Sequence, residues 1–247
     1  MHGFDPVLLL SQSATAPAAA APWLNGYLEG NGSVYALASG AMSAIDIANS
    51  VWCWLAIGDA VESGSYACGS LSTEAVLRIP EWGGGGASRH YHADGGFISA
   101  TPLADELAGL VGSVVRYPGF RSSSARGVTA TADTGVVSET VYSDTFGADA
   151  YLGAGGSGAQ PYAGHLYAVL VLSSNPSAEQ IRALLAGASP ADIWTVPGTI
   201  KRCWRLSDAY EGSKNVVVPD TAGDYGGTLP AADATLVGGS ISSIVIL

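Results

Sequence analysis

The sequence predicts an all-β sandwich with one short helix. Three observations point there. Apolar, β-branched and aromatic residues come in bursts of strand length. Glycine is abundant, 33 in 247 residues, and clusters between those bursts as turn signals. One segment alone combines helical apolar spacing with clear start and stop signals. The length suits one large β domain or two small ones, with a core that needs no metal or disulfide staples.

Residues 1–22 are expected to form an extended arm. Ser11 to Pro22 is rich in Ala, Ser and Pro, and the two prolines hold any helix in Ala18–Ala21 to about one turn. The sandwich is expected over 23–194, starting with a strand at Val34–Leu37. Val51–Ile57 is the strongest strand. Alternation sets Trp52 and Trp54 on one face and Val51, Cys53, Leu55 and Ile57 on the other. Both faces are apolar, which predicts a central strand covered on both sides. Further strands are expected at Ala75–Ile79, Gly96–Ala100, Ser113–Tyr117, Val128–Ala132, Val136–Tyr142 and Ala150–Leu152. Leu166–Leu172 is another, apolar nearly throughout.

The helix is expected just after Asn175. A capping residue there is followed by Pro176 in the first turn and by Glu179 near the N-terminal end of the dipole. Ile181, Leu184 and Leu185 form one apolar stripe, and Gly187 supplies the stop. Ser189–Asp192 reads as a second short helical turn. Residues 195–247 are expected as a C-terminal extension: Cys203–Leu206, an acidic turn-rich stretch, then a last strand pattern from Leu236 to Leu247. Ile244–Leu247 is so apolar that a bare edge there would invite pairing. It is expected to be paired, within the fold or with another subunit.

The formal charge of −11, with only ten Lys and Arg, argues against a nucleic-acid partner and against an anionic membrane surface. The longest apolar run has strand length, so no membrane insertion is expected. Charged residues make up 13% of the chain, about half the usual quarter. Such a surface either packs against partners or is rich in Ser, Thr, Gly and Ala. Cys53, Cys68 and Cys203 form no CxxC pair and are expected to be reduced thiols of a protein made in the cytoplasm. The N-terminal residues lack a basic region followed by an apolar one, so no signal peptide is expected.

The run Tyr162-Ala163-Gly164-His165 into the Leu166–Leu172 strand, followed by Ser177-Ala178-Glu179-Gln180-Ile181, resembles the closing segment of concanavalin A-like, or laminin G-like, jelly-roll domains. Val51–Ile57 resembles their early strand with its central Trp. Ala150–Ala154 resembles the Leu-Gly strand end before the closing strand. Cys203–Asp208 with Asp220–Asp224 resembles a Trp-x-Leu and Asp-x-x-Gly segment found beside such domains. The resemblance spans Trp23 to about Trp194 and implies a β-sandwich jelly roll of a kind that serves in lectins, glycosidases, adhesion modules and phage virions. Fold alone does not choose among these.

The glucanase branch needs alternating carboxylates on one strand, as acid and nucleophile. Asp46 has no such partner two residues away, so no catalysis is expected. Gly83–Gly86 lacks the Lys-Ser/Thr of a phosphate loop. His90, His92 and Asp94 would share one face of an extended strand, as metal ligands do, with His165 the one residue able to complete the set. Asp208, Glu211, Asp220 and Asp224 sit in turns and offer oxygens of the kind calcium takes. No cofactor is required otherwise. Trp82 and Tyr91, near a Gly-rich loop, are candidate stacking residues for a sugar ring.

The leading expectation is a non-catalytic structural protein of a phage virion, a capsid decoration or tail-surface protein. It would assemble with other virion proteins and with copies of itself through its arm and terminal strand. The alternative is a lectin-like carbohydrate-binding module for surface or host recognition.

Overall fold

The computed structural model describes residues 23–45, 148–158, 161–174 and 176–247, with the strands between positions 52 and 142. The first strands are β1 (Gly26–Glu29), β2 (Tyr35–Ala38), β3 (Trp52–Asp59), β4 (Cys68–Gly69), β5 (Val76–Arg78) and β6 (Ser88–Tyr91). Then come β7 (Phe97–Ala100), β8 (Leu103–Ala104), β9 (Leu110–Tyr117), β10 (Ser124–Thr129), β11 (Glu139–Tyr142), β12 (Ala150–Leu152) and β13 (His165–Leu172). Two short helices follow, α1 (Ala178–Leu185) and α2 (Pro190–Ile193). The chain ends with β14 (Ile200–Arg205), β15 (Tyr210–Glu211), β16 (Val216–Val218), β17 (Ala234–Val237) and β18 (Ile244–Ile246).

These strands form an all-β sandwich of two sheets. The first runs β11–β10–β9–β3–β13–β1–β18, with β8 beside β9 and β14 beside β13. The second runs β15–β16–β17–β2–β12–β4–β5–β6–β7. Neighbouring strands pair antiparallel throughout, as in β3 with β9 and β2 with β12. Ala150–Leu152 appears with its expected ends and most other expected strands with shifted ones, while the strand expected at Val128–Ala132 lies mainly before it, at Ser124–Thr129. The short strands β1, β4, β6, β8, β15 and β16 are not among the expected ones, because two to four residues carry too little alternation to read.

The first sheet is covered on both faces. Trp54 and Ala56 of β3 face the second sheet, in a core with Leu28, Leu152 and Trp204. Leu55 and Ile57 point the other way, against Trp23, Ile181, Leu184 and Trp194. The two-faced apolarity of this strand is thus explained by a helical layer on one side and a sheet on the other. β13 does the same, with Val169 and Val171 inward and Ala168, Leu170 and Leu172 toward the helices. A register shift between Leu166 and Ala168 lets Leu166 share the face of Val169 and sends Tyr167 to the helical side.

α1 is capped by Ser177, two residues after Asn175. The Ser177 Oγ accepts from the Gln180 N–H at 3.2 Å, and the Gln180 Oε1 accepts from the Ser177 N–H at 2.8 Å. This reciprocal box satisfies two backbone donors at the helix start. Gly187, at φ +95°, ends the helix as expected. α2 is capped by Ser189, whose Oγ accepts from the Ala191 N–H at 3.3 Å.

Residues 195–247 do not extend beyond the sandwich as the sequence reading had it; they supply strands to both sheets. The reason lies in β13. On one side β1 reaches only its first residues, Leu166 and His165. The remaining backbone groups of a buried strand need partners, and β14 pairs them from Ala168 to Leu172. The pattern from Leu236 to Leu247 also divides in two. β17 belongs to the second sheet and β18 to the first. Gly238, at φ +76°, makes the break, where a Cβ would collide with the Ser33 carbonyl oxygen. β18 pairs with β1, leaving Ile244 buried and Ile246 58% exposed.

A chain ending at Trp194 should lack cooperative urea unfolding, since β13 would lose its partner along most of one side. Leu170→Ala in the full chain is expected to cost about 2–5 kcal/mol, read from the urea midpoint at an unchanged slope.

Candidate functional site

Asp46, Trp82, His92 and Asp94 lie outside the described residues. His90 and Tyr91 fall on β6, opposite Ile98 and Phe97 of β7 in the second sheet. His165 stands on β13 in the first sheet, its ring stacked on Tyr27 at 4.1 Å. The structure therefore assigns His90 and His165 to different sheets.

The acidic set expected for calcium is not assembled. Arg205 holds Asp208 through Nε at 2.9 Å and Nη2 at 2.6 Å. Asp224 is exposed. Asp220 is buried and saturated: it accepts from the backbone N–H groups of Cys203 at 3.0 Å, Ala222 at 3.2 Å and Ala232 at 3.1 Å. Among the described residues no group of three or more His, Cys, Asp or Glu side chains is placed to hold a metal. Asp208, Asp220 and Asp224 do not fit a calcium ion, because the first two spend their oxygens on the chain itself and the third stands apart.

Asp220 has a structural partner instead. Arg202 lies 3.4 Å away with its side chain 2% exposed. The Arg202 Nε donates to the Ala41 carbonyl at 2.9 Å, and Nη1 donates to the Pro230 carbonyl at 2.9 Å. One guanidinium therefore ties β14 to the turn after β2 and to the segment before β17. Burial pushes the Asp220 carboxyl up and the Arg202 guanidinium down from their ordinary values; the backbone N–H groups and Arg202 oppose the first shift, and Asp220 opposes the second. Beside them, burial pushes the Cys203 thiol up to about 12, which suits an inert core thiol.

A concave site forms elsewhere, where the edge of the second sheet meets the crossing from β17 to β18. One wall is the β15–β16 hairpin, closed by the Gly212 N–H donating to the Asn215 carbonyl at 2.8 Å. The other is Gly239–Ile241, held by the Ser243 Oγ accepting from the Ser240 N–H at 3.4 Å. The cleft measures about 320 Å³, and its lining brings Glu211, Ser213, Lys214, Asn215 and Ser240 together with Val216, Leu236 and Ile241. That volume is at the small end for ligand sites.

The lining is chemically mixed. Glu211 only accepts, Lys214 only donates, and Asn215 and Ser240 do both. Glu211 and Lys214 cancel in formal charge. Such a set matches a neutral molecule whose groups each donate and accept, with aliphatic side chains for its C–H surface. Glu211, expected among the calcium oxygens, lines this cleft instead, and the cleft itself is not legible in the sequence. The missed signal was a Gly-containing loop, Gly212–Asn215, between Tyr210–Glu211 and a Val run, the pattern of a hairpin.

No protein-family model matches the chain, and no curated protein matches it. Among solved structures it is similar to a crystal structure from Bacteroides ovatus named as a "putative carbohydrate binding protein". The TM-score is 0.52 and the identity 15%, over 91% of this chain and 60% of that one. The chain thus spans about three fifths of that protein's length. At this identity the likeness is one of fold, and it agrees with the sandwich described above.

Asp220→Ala is expected to cost about 3–5 kcal/mol, since it strands a buried guanidinium. Asp224→Ala should stay within about 0.5 kcal/mol of the parent. Equal urea midpoints for the two variants would refute the distinction. Peptide mapping after alkylation should find Cys203 unmodified in the native protein at mildly alkaline pH and modified once denaturant is added.

Proposed function

We propose that the chain is a carbohydrate-binding β-sandwich of the concanavalin A-like, laminin G-like jelly-roll kind, which holds a neutral sugar in the cleft between the β15–β16 hairpin and Gly239–Ile241. The observation that carries this reading is the lining itself: a carboxylate, an ammonium, an amide and hydroxyls line one cleft together with aliphatic side chains. Hydroxyl groups of a sugar both give and take hydrogen bonds, so each finds a complement there. The name of the structural neighbour points the same way.

The binding is without chemistry. Glycoside hydrolysis uses a pair of carboxyl groups across the bond to be cut. Glu211 is the one carboxylate among the residues lining the cleft. The proposed binding requires no cofactor, metal or nucleic acid.

A second reading rests on a different observation. Ile246 is 58% exposed on β18, where the pairing order of the first sheet ends. An uncharged apolar edge of this kind favours assembly. It supports a structural role on a phage particle, as a capsid decoration or tail-surface protein made in the host cytoplasm, joined to copies of itself and to other virion proteins. The two roles are compatible, because a particle-surface protein can present a sugar site.

An array of neutral glycans, followed by titration calorimetry, tests the first reading. Glu211→Ala should weaken binding about tenfold, the loss of one hydrogen bond to a charged acceptor. Asn215→Ala should weaken it several-fold, and Asp224→Ala should leave it unchanged. Retention of no glycan, or full affinity in Glu211→Ala, would sink it. For the second reading, the chain is expected to co-sediment with particles; a monomer absent from particle fractions would count against it.

A further inference from the structure

The second sheet has one face in the core and one turned away from it. Tyr210 pairs with Val217, Val217 with Thr235, Thr235 with Leu37, and Leu37 with Tyr151. These residues form a single row across five strands. Their chain neighbours Val216, Val218, Ala234, Leu236, Ala36 and Leu152 are in the inter-sheet core. By strand alternation the row therefore faces outward. Tyr210 is 50% exposed, and the other four are half-buried. Tyr35, which pairs with Val237, adds a second ring 6.1 Å from that of Tyr151. α1 packs on β8 and β9 of the first sheet, away from this row.

We infer that the sugar site continues over this row, as a platform for an extended neutral polysaccharide chain whose end lies in the cleft. The inference rests on the proposed function and deepens it. Three features select this occupant. The row bears no charge in a chain of formal charge −11, so a neutral partner meets no repulsion there and an anionic one is disfavoured by the surroundings. Tyrosine rings offer flat apolar faces with a hydroxyl at the tip, suited to the C–H face and rim hydroxyls of a pyranose.

Continuity with the cleft is the third feature. Tyr210 and Glu211 are consecutive on β15, the edge strand. One faces the platform and the next lines the cleft. The platform and the cleft thus lie on the two sides of a single edge strand. From Tyr151 to Tyr210 the row takes four strand steps, about 19 Å. That is room for several sugar units, whereas the cleft holds one.

Calorimetry with cello- and manno-oligosaccharides, from the monosaccharide to the hexasaccharide, tests this. Affinity should rise with chain length and level off near the pentasaccharide. Tyr210→Ala should lower hexasaccharide affinity about fivefold, one stacking contact, and leave the monosaccharide unchanged. Val217→Lys, which puts a charge and bulk in mid-row, should remove most of the gain from length. Affinity independent of length in both series, or loss in Tyr210→Ala that is equal for short and long chains, would overturn the platform while leaving the cleft intact. Binding of no neutral glycan at any length would remove both.

Discussion

β13 is the strand on which the rest of the molecule depends. Seven consecutive residues, Leu166 to Leu172, are buried on it. Such a strand exposes neither face to water, and every one of its backbone groups must find a partner in the protein. β3 satisfies one side. β1 and β14 divide the other between them. This one requirement brings the first strand and a late strand to the same edge. It makes the C-terminal residues part of the sandwich. It also demands two covers, which are the second sheet on one face and the helical layer on the other.

The Arg202–Asp220 pair fastens that arrangement from within. A buried ion pair adds little net stability compared with an apolar filling of the same shape. Its contribution is geometric. Arg202 has acceptors on Ala41 and Pro230, and Asp220 has donors on Cys203, Ala222 and Ala232. Both charges are satisfied by these loops together. The Trp204 Nε1 donates to the Ala232 carbonyl at 2.8 Å and closes the same junction. The Trp-x-Leu and Asp-x-x-Gly segment that the sequence places beside the domain is therefore a clamp inside it. With that junction fixed, the hairpin and the β17–β18 crossing converge at the sheet edge and leave the cleft between them.

Local pattern made much of the architecture legible. The alternation in β3 announced a strand with two covered faces, since alternation is a property of the residue sequence itself. The stripe Ile181, Leu184 and Leu185 with its flanking signals announced α1, though the cap fell on Ser177. The site was far less legible. Asp208, Asp220 and Asp224 look alike in a chain of turns, and their different fates depend on Arg205, Arg202 and open solvent. The cleft joins residues 211–216 with 236–241, and the platform joins Tyr151 and Leu37 with Tyr210; no periodicity links such distant positions.

The sequence by itself determined the class of fold, the strand with two buried faces, and the capped helix with its stop at Gly187. These follow from side-chain periodicity and backbone preferences, which act over a few residues. Only the tertiary structure decided which aspartate is buried, that the last strand pattern splits between two sheets, and that Glu211 lines a cleft. Those outcomes turn on strand register and on desolvation, and both are set by partners far away in the chain.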